Sequence, residues 1–470
     1  MGMMGAFMIW LKRIFLALGA FALSGNLAMA ADALDGDWDG ALMAGAIKLR
    51  MTLHIETHDG TMSGTLTSID QGGAVLQIAS VAHDGANVSF SLVRPAASFQ
   101  GTLSADGASL AGNWMQGGRT LPLNFAHRAQ GAAAPVLNRP QEPHPPYSYR
   151  TEDVAYDGPG GIKLAGTLTL PQSGDAFAAA ILIAGSGPHD RNEALMGHKP
   201  FLVLADYLTR HGIAVLRSDK RGIGKSAGNY ATATSEDFAD DAEAAITYLK
   251  SRSEIDSKKI GLIGHSEGGL IAPIVAAKDH TVAFIVLMAG PGLTGDQILM
   301  AQRRLIAAAM GASDEQLAKG DALQRKVLDA IEKESNDDAD RDVRAAVAAV
   351  DPKVPAAAVD AQVATLTSPW FKFFLSYDPA STLKQVRCPV LAINGAKDLQ
   401  VPPKEDLAAI KAALADNPDA TTVELPGLNH LFQTARTGAP SEYGDIEETI
   451  APVALDTITT WIETRTTKKR

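Results

Sequence analysis

The stretch from Lys259 to Leu270, Lys-Ile-Gly-Leu-Ile-Gly-His-Ser-Glu-Gly-Gly-Leu, constrains this chain more than any other. An apolar run of strand length breaks at Gly264-His265-Ser266-Glu267-Gly268 and resumes from Leu270 to Ala277 with helical character, which reads as strand, tight turn, helix. A serine at such a corner is pushed into strained backbone geometry with its hydroxyl clear of the sheet, and the positions two residues to either side have no room for a Cβ. Gly264 and Gly268 meet that need. With 43 glycines in 470 residues, the five-residue pattern arises by chance in roughly one chain in five, so its context must carry the argument.

That context is a grammar of strands separated by helical segments, which begins at Thr151 and predicts a mostly parallel sheet with helices on both faces. Strands are expected at Ile162 to Leu170, Ala178 to Ile183, Ile213 to Arg217, Lys259 to Ile263, Ala283 to Met288, Val390 to Asn394 and Thr422 to Leu425. Helices are expected at Phe201 to Arg210, Glu236 to Ser251, Gly268 to Ala277, Lys404 to Ala415 and Thr449 to Thr464. Between the fifth and sixth strands lie about a hundred residues of helical spacing, such as Ile298, Ala301, Leu305 and Ala309, too long for a plain connection. They read as a helical cap inserted at about 294–385, whose run Glu334 to Asp342 is a solvated loop without the glycine turn of a calcium site.

Ahead of this domain (151–470) the pattern has period two, as in Ile47, Leu49, Met51, Leu53 and Ile55, with turn pairs at Asp59-Gly60, Asp84-Gly85 and Asp106-Gly107. Residues 31–130 are therefore expected to form a small all-β domain, an antiparallel meander or partial barrel. Residues 131–150, with Pro135, Pro140, Pro143, Pro145 and Pro146, read as a semi-rigid linker. At the N-terminus, Lys12 and Arg13 precede a short apolar run from Ile14 to Leu23 and the small-x-small site Ala28-Met29-Ala30. That is the pattern of a signal peptide over residues 1–30, the run being short of the roughly twenty residues a bilayer needs, so export to the periplasm or medium is expected, with no membrane anchor after cleavage.

A net charge of −11 argues against nucleic acid as a partner. The one cysteine, Cys388, has no intrachain partner and reads as a small core residue. His54, His58 and His83 lack ligand spacing, so no metal is expected.

A serine nucleophile needs a base and an acid, and on a sheet of this kind they follow it in the order serine, carboxylate, histidine. Asp398 ends the run Val390-Leu-Ala-Ile-Asn-Gly-Ala-Lys-Asp, where a buried strand delivers a carboxylate to the C-terminal edge of the sheet. His430, after Val423-Glu-Leu-Pro-Gly-Leu-Asn, alone among 11 histidines follows both the corner and Asp398. Attack on a carbonyl builds an oxyanion, which requires two N–H donors. Glu267 is expected to supply one, and Gly187 the other from the loop Gly185-Ser186-Gly187-Pro188, with Ser186 the alternative. The cluster Pro369-Trp370-Phe371-Lys372-Phe373-Phe374 lines an acyl pocket, docks the cap, or does both. The pocket candidates are Ser186, Pro188, Trp370, Phe371 and Phe374. Asp219, Arg221, Gly222, Gly224 and Ser226 form a loop expected to tie neighbouring loops together.

With these residues, the chain from about Tyr149 to Lys468 resembles the α/β-hydrolase superfamily and is most similar to bacterial exported carboxylesterases. The resemblance rests on Gly185-Ser-Gly-Pro with Asp190-Arg191, the Asp219 loop, Gly264-His-Ser-Glu-Gly-Gly, Pro369-Trp-Phe to Tyr377-Asp-Pro379, Asn394-Gly-Ala-Lys-Asp398 and Leu428-Asn-His-Leu-Phe-Gln433. It implies Ser266, Asp398 and His430 as nucleophile, acid and base, short acyl esters as substrates, and no cofactor. Ser266 departs from the cysteine of dienelactone hydrolases, and Gly-Ser-Gly-Pro departs from the His-Gly-Gly-Gly loop of one esterase branch. The β domain resembles modules found ahead of such hydrolases.

The expected activity is that of a serine esterase acting on a small-molecule ester through an acyl-enzyme. A peptidase of the prolyl-oligopeptidase type or a thioesterase shares the same corner, and a catalytically silent hydrolase-like binding protein is the alternative outside the enzyme class.

Overall fold

The computed structural model describes residues 33–45, 47–71, 74–129, 131–133, 137–333, 340–346 and 356–466. Residues 1–30, where a signal peptide is expected, Pro135, most of the acidic run 334–342 and the last four residues lie outside them.

Eight strands build the first domain: β1 (Gly36–Ala44), β2 (Ile47–His58), β3 (Thr61–Ser68), β4 (Ala74–Asp84), β5 (Asn87–Leu92), β6 (Ala97–Leu103), β7 (Ser109–Gln116) and β8 (Arg119–His127). Each pairs antiparallel with the next, and Trp38, Asp39 and Gly40 of β1 pair with His127, Ala126 and Phe125 of β8, so the sheet closes into a barrel. The expected antiparallel meander is present, and that last pairing, which no local pattern announces, closes it into a full barrel. Period-two alternation turns Leu49, Met51, Leu53 and Ile55 inward. The interior is filled by Trp38, Phe90, Phe99, Trp114 and Phe125 with aliphatic neighbours, as befits a barrel of this strand number.

The second domain is an eight-stranded sheet built from β9 (Tyr149–Asp157), β10 (Lys163–Pro171), β11 (Phe177–Ile183), β12 (Ala214–Ser218), β13 (Ile255–His265), β14 (Ile285–Met288), β15 (Val390–Gly395) and β16 (Ala420–Leu425). Its order is β16-β15-β14-β13-β11-β12-β10-β9, with β11 to β16 parallel and β9 and β10 antiparallel at one edge. This is the α/β-hydrolase fold. Strand β9 lies outside the expected strands, because its exposed face carries Thr151, Asp153, Ala155 and Asp157 and even its inner face begins with the half-buried charges Arg150 and Glu152. In β11, Ala179, Ile181 and Ile183 join one apolar cluster and Ala180, Leu182 and Ala184 the other, so the strand is buried on both faces. Helices Ser235–Lys250, Glu267–Lys278 and Pro403–Ala413 cover the first face, and Pro200–Arg210 and Pro452–Thr466 the second.

Between β14 and β15 the cap contributes helices Gly295–Ala309, Asp314–Lys333, Ala356–Leu366, Pro369–Ser376 and Pro379–Leu383. It has a core of its own, formed by Leu328, Ile331, Val343, Val359, Val363, Phe371 and Leu375. Among the described residues, no helix is long and apolar enough to cross a membrane.

Candidate active site

Strand β13 runs straight into helix Glu267–Lys278, and the residue between them, Ser266, has φ 52° and ψ −117°. A non-glycine residue is strained there and is kept there only because the surroundings over-determine it. Its amide donates to Met288 O at 2.9 Å, and its carbonyl accepts from Gly269 N at 2.8 Å. A Cβ on Gly264 would collide with the Gly268 carbonyl, and one on Gly268 with the Ile183 carbonyl. The glycine spacing in the sequence thus records a three-way close approach of backbone.

Asp398 follows β15. Its Oδ1 accepts from the Gln400 and Val401 amides at 2.7 and 2.9 Å, which aims Oδ2 at His430 Nδ1, 2.7 Å away. Both side chains are buried. A carboxylate only accepts, so Nδ1 carries the proton and Nε2 is the nitrogen that can act as a base. The loop bearing His430 is knotted on itself: Asn429 Oδ1 takes the amides of Leu431 and Gln433, and Asn429 Nδ2 donates to Gln433 Oε1.

His265, one residue before Ser266, is not a bystander. Its Nδ1 lies 3.0 Å from Glu193 Oε1 and its Nε2 3.0 Å from the His430 carbonyl, with the two imidazole centroids 4.9 Å apart. Burial works against a charge on His265, but the Glu193 carboxylate outweighs it and raises the imidazole above its ordinary value. The same Glu193 oxygen accepts the Gly185 amide at 2.6 Å.

Gly185 is held from its other side as well, since Lys220 Nζ donates to its carbonyl at 2.6 Å and reaches Glu267 Oε2 at 3.0 Å. Glu267 Oε1 accepts from Ser235 Oγ at 2.7 Å and from Trp370 Nε1 at 2.6 Å. The residue after Ser266 therefore bonds to the cap through its side chain, while its backbone amide, in the first helical turn, has no intrahelical acceptor. Gly187 has φ 118°, a conformation glycine alone adopts freely. The phenol of Tyr230 is pushed up to about 12 by burial and by Glu267, and a hydrogen bond from the Gly187 backbone pulls the other way. The phenol stays protonated at neutral pH, with its oxygen accepting from that amide.

Of the pocket candidates, Ser186 and Pro188 lie exposed on the Gly185 loop. Trp370 stacks on Phe374 with centroids 5.5 Å apart and interplanar angle 3°, and both pack against the core of the sheet. Phe371 is instead buried in the core of the cap, so that ring docks the cap upon itself. Asp219 binds Arg191 through both carboxylate oxygens, and Arg221 binds Asp237 and Asp241 on the following helix. Cys388 is partly buried, and desolvation pushes its thiol up to about 12. Among the described residues, no group of histidines, cysteines and carboxylates could hold a metal ion.

Sequence reasoning did not find Glu193, Lys220 or a role for His265. None has a local signature, since each has a partner on a segment tens of residues away.

The family described as serine aminopeptidase, S33 (Hydrolase_4) matches residues 199–434, half of the chain. Esterase EstD of Thermotoga maritima is 25% identical over 323 residues, 67% of this chain and 68% of that protein. Among solved structures, the Pyrococcus furiosus esterase Pf2001 is 19% identical with a TM-score of 0.37, covering 59% of this chain and 84% of that one. Est1E of Butyrivibrio proteoclasticus, solved with ferulic acid, is 16% identical with a TM-score of 0.41, covering 67% and 100%.

Proposed function

This chain belongs to the Hydrolase_4 family of α/β hydrolases, the serine aminopeptidase S33 group, and from that premise we propose that it is a serine hydrolase cleaving carboxylic esters with short acyl chains. The observation that carries this reading is the buried Asp398–His430 hydrogen bond of 2.7 Å, held against the residue that precedes the strained Ser266. In this reading Ser266 attacks the ester carbonyl, His430 takes its proton at Nε2 and returns it to the departing alcohol, and Asp398 fixes the tautomer. The oxyanion is received by the amides of Glu267 and Gly187. Water then attacks the acyl-enzyme with His430 again as base.

The restriction to short acyl groups is supported by Trp370 and Phe374, which stack against the sheet where the cap meets Glu267. Replacing Ser266 with Ala should abolish turnover of a short nitrophenyl ester while the fold persists. Unchanged hydrolysis by the variant would overturn the assignment.

The family's description favours a second reading, an aminopeptidase-like activity on aminoacyl amides. Comparing kcat/KM for matched esters and amides separates the two. Export is a further proposal, supported by the charged, apolar and Ala28-Met29-Ala30 pattern of the N-terminus. N-terminal sequencing of the protein recovered from outside the cytoplasm should begin at Ala31.

A further inference from the structure

The barrel has its interior filled with side chains, so its contribution has to come from its outer surface, where Lys48 and Arg50 meet the hydrolase domain beside Arg139 of the following segment. Arg50 on β2 is gripped by the buried Asp70 through Nε and Nη2, and its Nη2 donates to Gly444 O at 2.6 Å. Arg139, in the segment after the barrel, donates to four carbonyls of the hydrolase domain. These are Met196 and Gly197 at 3.0 and 3.1 Å, and Gly444 and Ile446 at 2.9 and 3.0 Å. Gln141 adds the Thr449 and Ile450 amides and the Ile450 carbonyl.

The two pairs of carbonyls belong to loops that start at the active site. One loop follows Glu193, which binds His265 and the Gly185 amide. The other follows the His430 loop and is joined to it by Gln433 Nε2, which donates to Glu448 O at 3.0 Å. His198 closes the gap between the loops, meeting Thr449 Oγ1 and Tyr443 O at 2.9 Å each. A planar guanidinium with five donors can serve four carbonyls at fixed angles, which an ammonium cannot.

We propose that the barrel and the segment after it act as a clamp on the catalytic loops, with Arg139 and Arg50 as positioning residues that hold the Glu193 and His430 segments in register. The catalytic half of this inference rests on His430 being the base. The clamp itself does not depend on that reading.

The test uses the full chain with Arg139→Ala, Arg139→Lys and Arg50→Ala, and with Arg128→Ala as control, since that change breaks pairs with Asp37 and Asp39 inside the barrel only. Amide hydrogen exchange is read by mass spectrometry alongside kcat and KM on a short nitrophenyl ester. Arg139→Ala should raise exchange at least tenfold in residues 192–199 and 427–450, but not in β13 or β14. It should lower kcat tenfold or more with KM within twofold. Arg139→Lys should fall between it and the parent, and Arg128→Ala should leave both loops unchanged. Wild-type exchange in both loops of folded Arg139→Ala, or loosened loops with unchanged kcat, overturns the proposal. If Arg139→Ala does not fold, Arg50→Ala is held to the same outcomes, and Arg139→Lys to exchange and kcat measurably displaced from the parent in the same directions. If the parent turns over no ester, the function reading fails and the exchange measurement alone decides the clamp.

Discussion

Both ring nitrogens of His265 face oxygens that can only accept: the Glu193 carboxylate and the His430 carbonyl, each at 3.0 Å. The imidazole satisfies both only as imidazolium, and it is buried against a buried carboxylate. The pair joins the backbone of the proposed base to the Gly185 amide, and so to the proposed oxyanion loop. Removing one partner of such a pair leaves an uncompensated buried charge. Glu193→Gln should therefore lower kcat by about tenfold, corresponding to ~1.4 kcal/mol of transition-state stabilisation, with little change in KM. Steady-state kinetics on a short ester checks it. Equal kcat in the variant would show that the pair serves stability alone.

Asp398→Asn keeps the shape of the site but offers an amide to His430 Nδ1, which favours the wrong tautomer. The expected loss in kcat is about 10³–10⁴-fold, with the fold retained and Ser266 much slower to react with an organophosphonate. A loss of only a few-fold would place the orienting acid elsewhere.

The Trp370 indole donates to Glu267 Oε1, so the cap is hydrogen-bonded to the residue next to the proposed nucleophile. Trp370→Phe keeps a ring against Phe374 and removes the donor. A hydrogen bond to a charged group contributes roughly 1.5–3 kcal/mol, so limited proteolysis of the cap should accelerate by about tenfold or more. The acyl-length profile, measured on a series of nitrophenyl esters, should broaden. A cap that resists protease as before would refute the tether.

Asp406 Oδ1 holds the Gly292 and Leu293 amides at 2.6 and 3.0 Å where the cap departs from the sheet, while Oδ2 is buried with no partner among the described residues. Burial raises its carboxyl to about 7. The folded state thus keeps a proton that the unfolded chain releases near pH 4, so stability from this group is full below pH 4 and falls as pH rises towards 7. Asp406→Asn keeps the Oδ1 acceptor and cannot ionise. It should unfold at a higher temperature than the parent at pH 8, by on the order of 4 kcal/mol at most, with the advantage shrinking towards pH 4. Melting curves from pH 4 to 8 decide it, and a pH-independent difference would exclude titration of Asp406 as the cause.

The sequence by itself determined the elements and the types of residue at the site. Period two at Leu49, Met51, Leu53 and Ile55, unbroken apolar runs such as Ala178 to Ile183, and glycines flanking Ser266 are statements about which faces are buried and where backbone comes close. Those are local properties written into neighbouring residues. Tertiary structure alone decided that the eight barrel strands close, because the β1–β8 contact joins Trp38 to His127. It alone gave Glu193, Lys220 and Arg139 their work, since a buried charge acquires its meaning from the partner facing it across space. The most distant of those partners lie 47, 72 and 307 residues away for Lys220, Glu193 and Arg139.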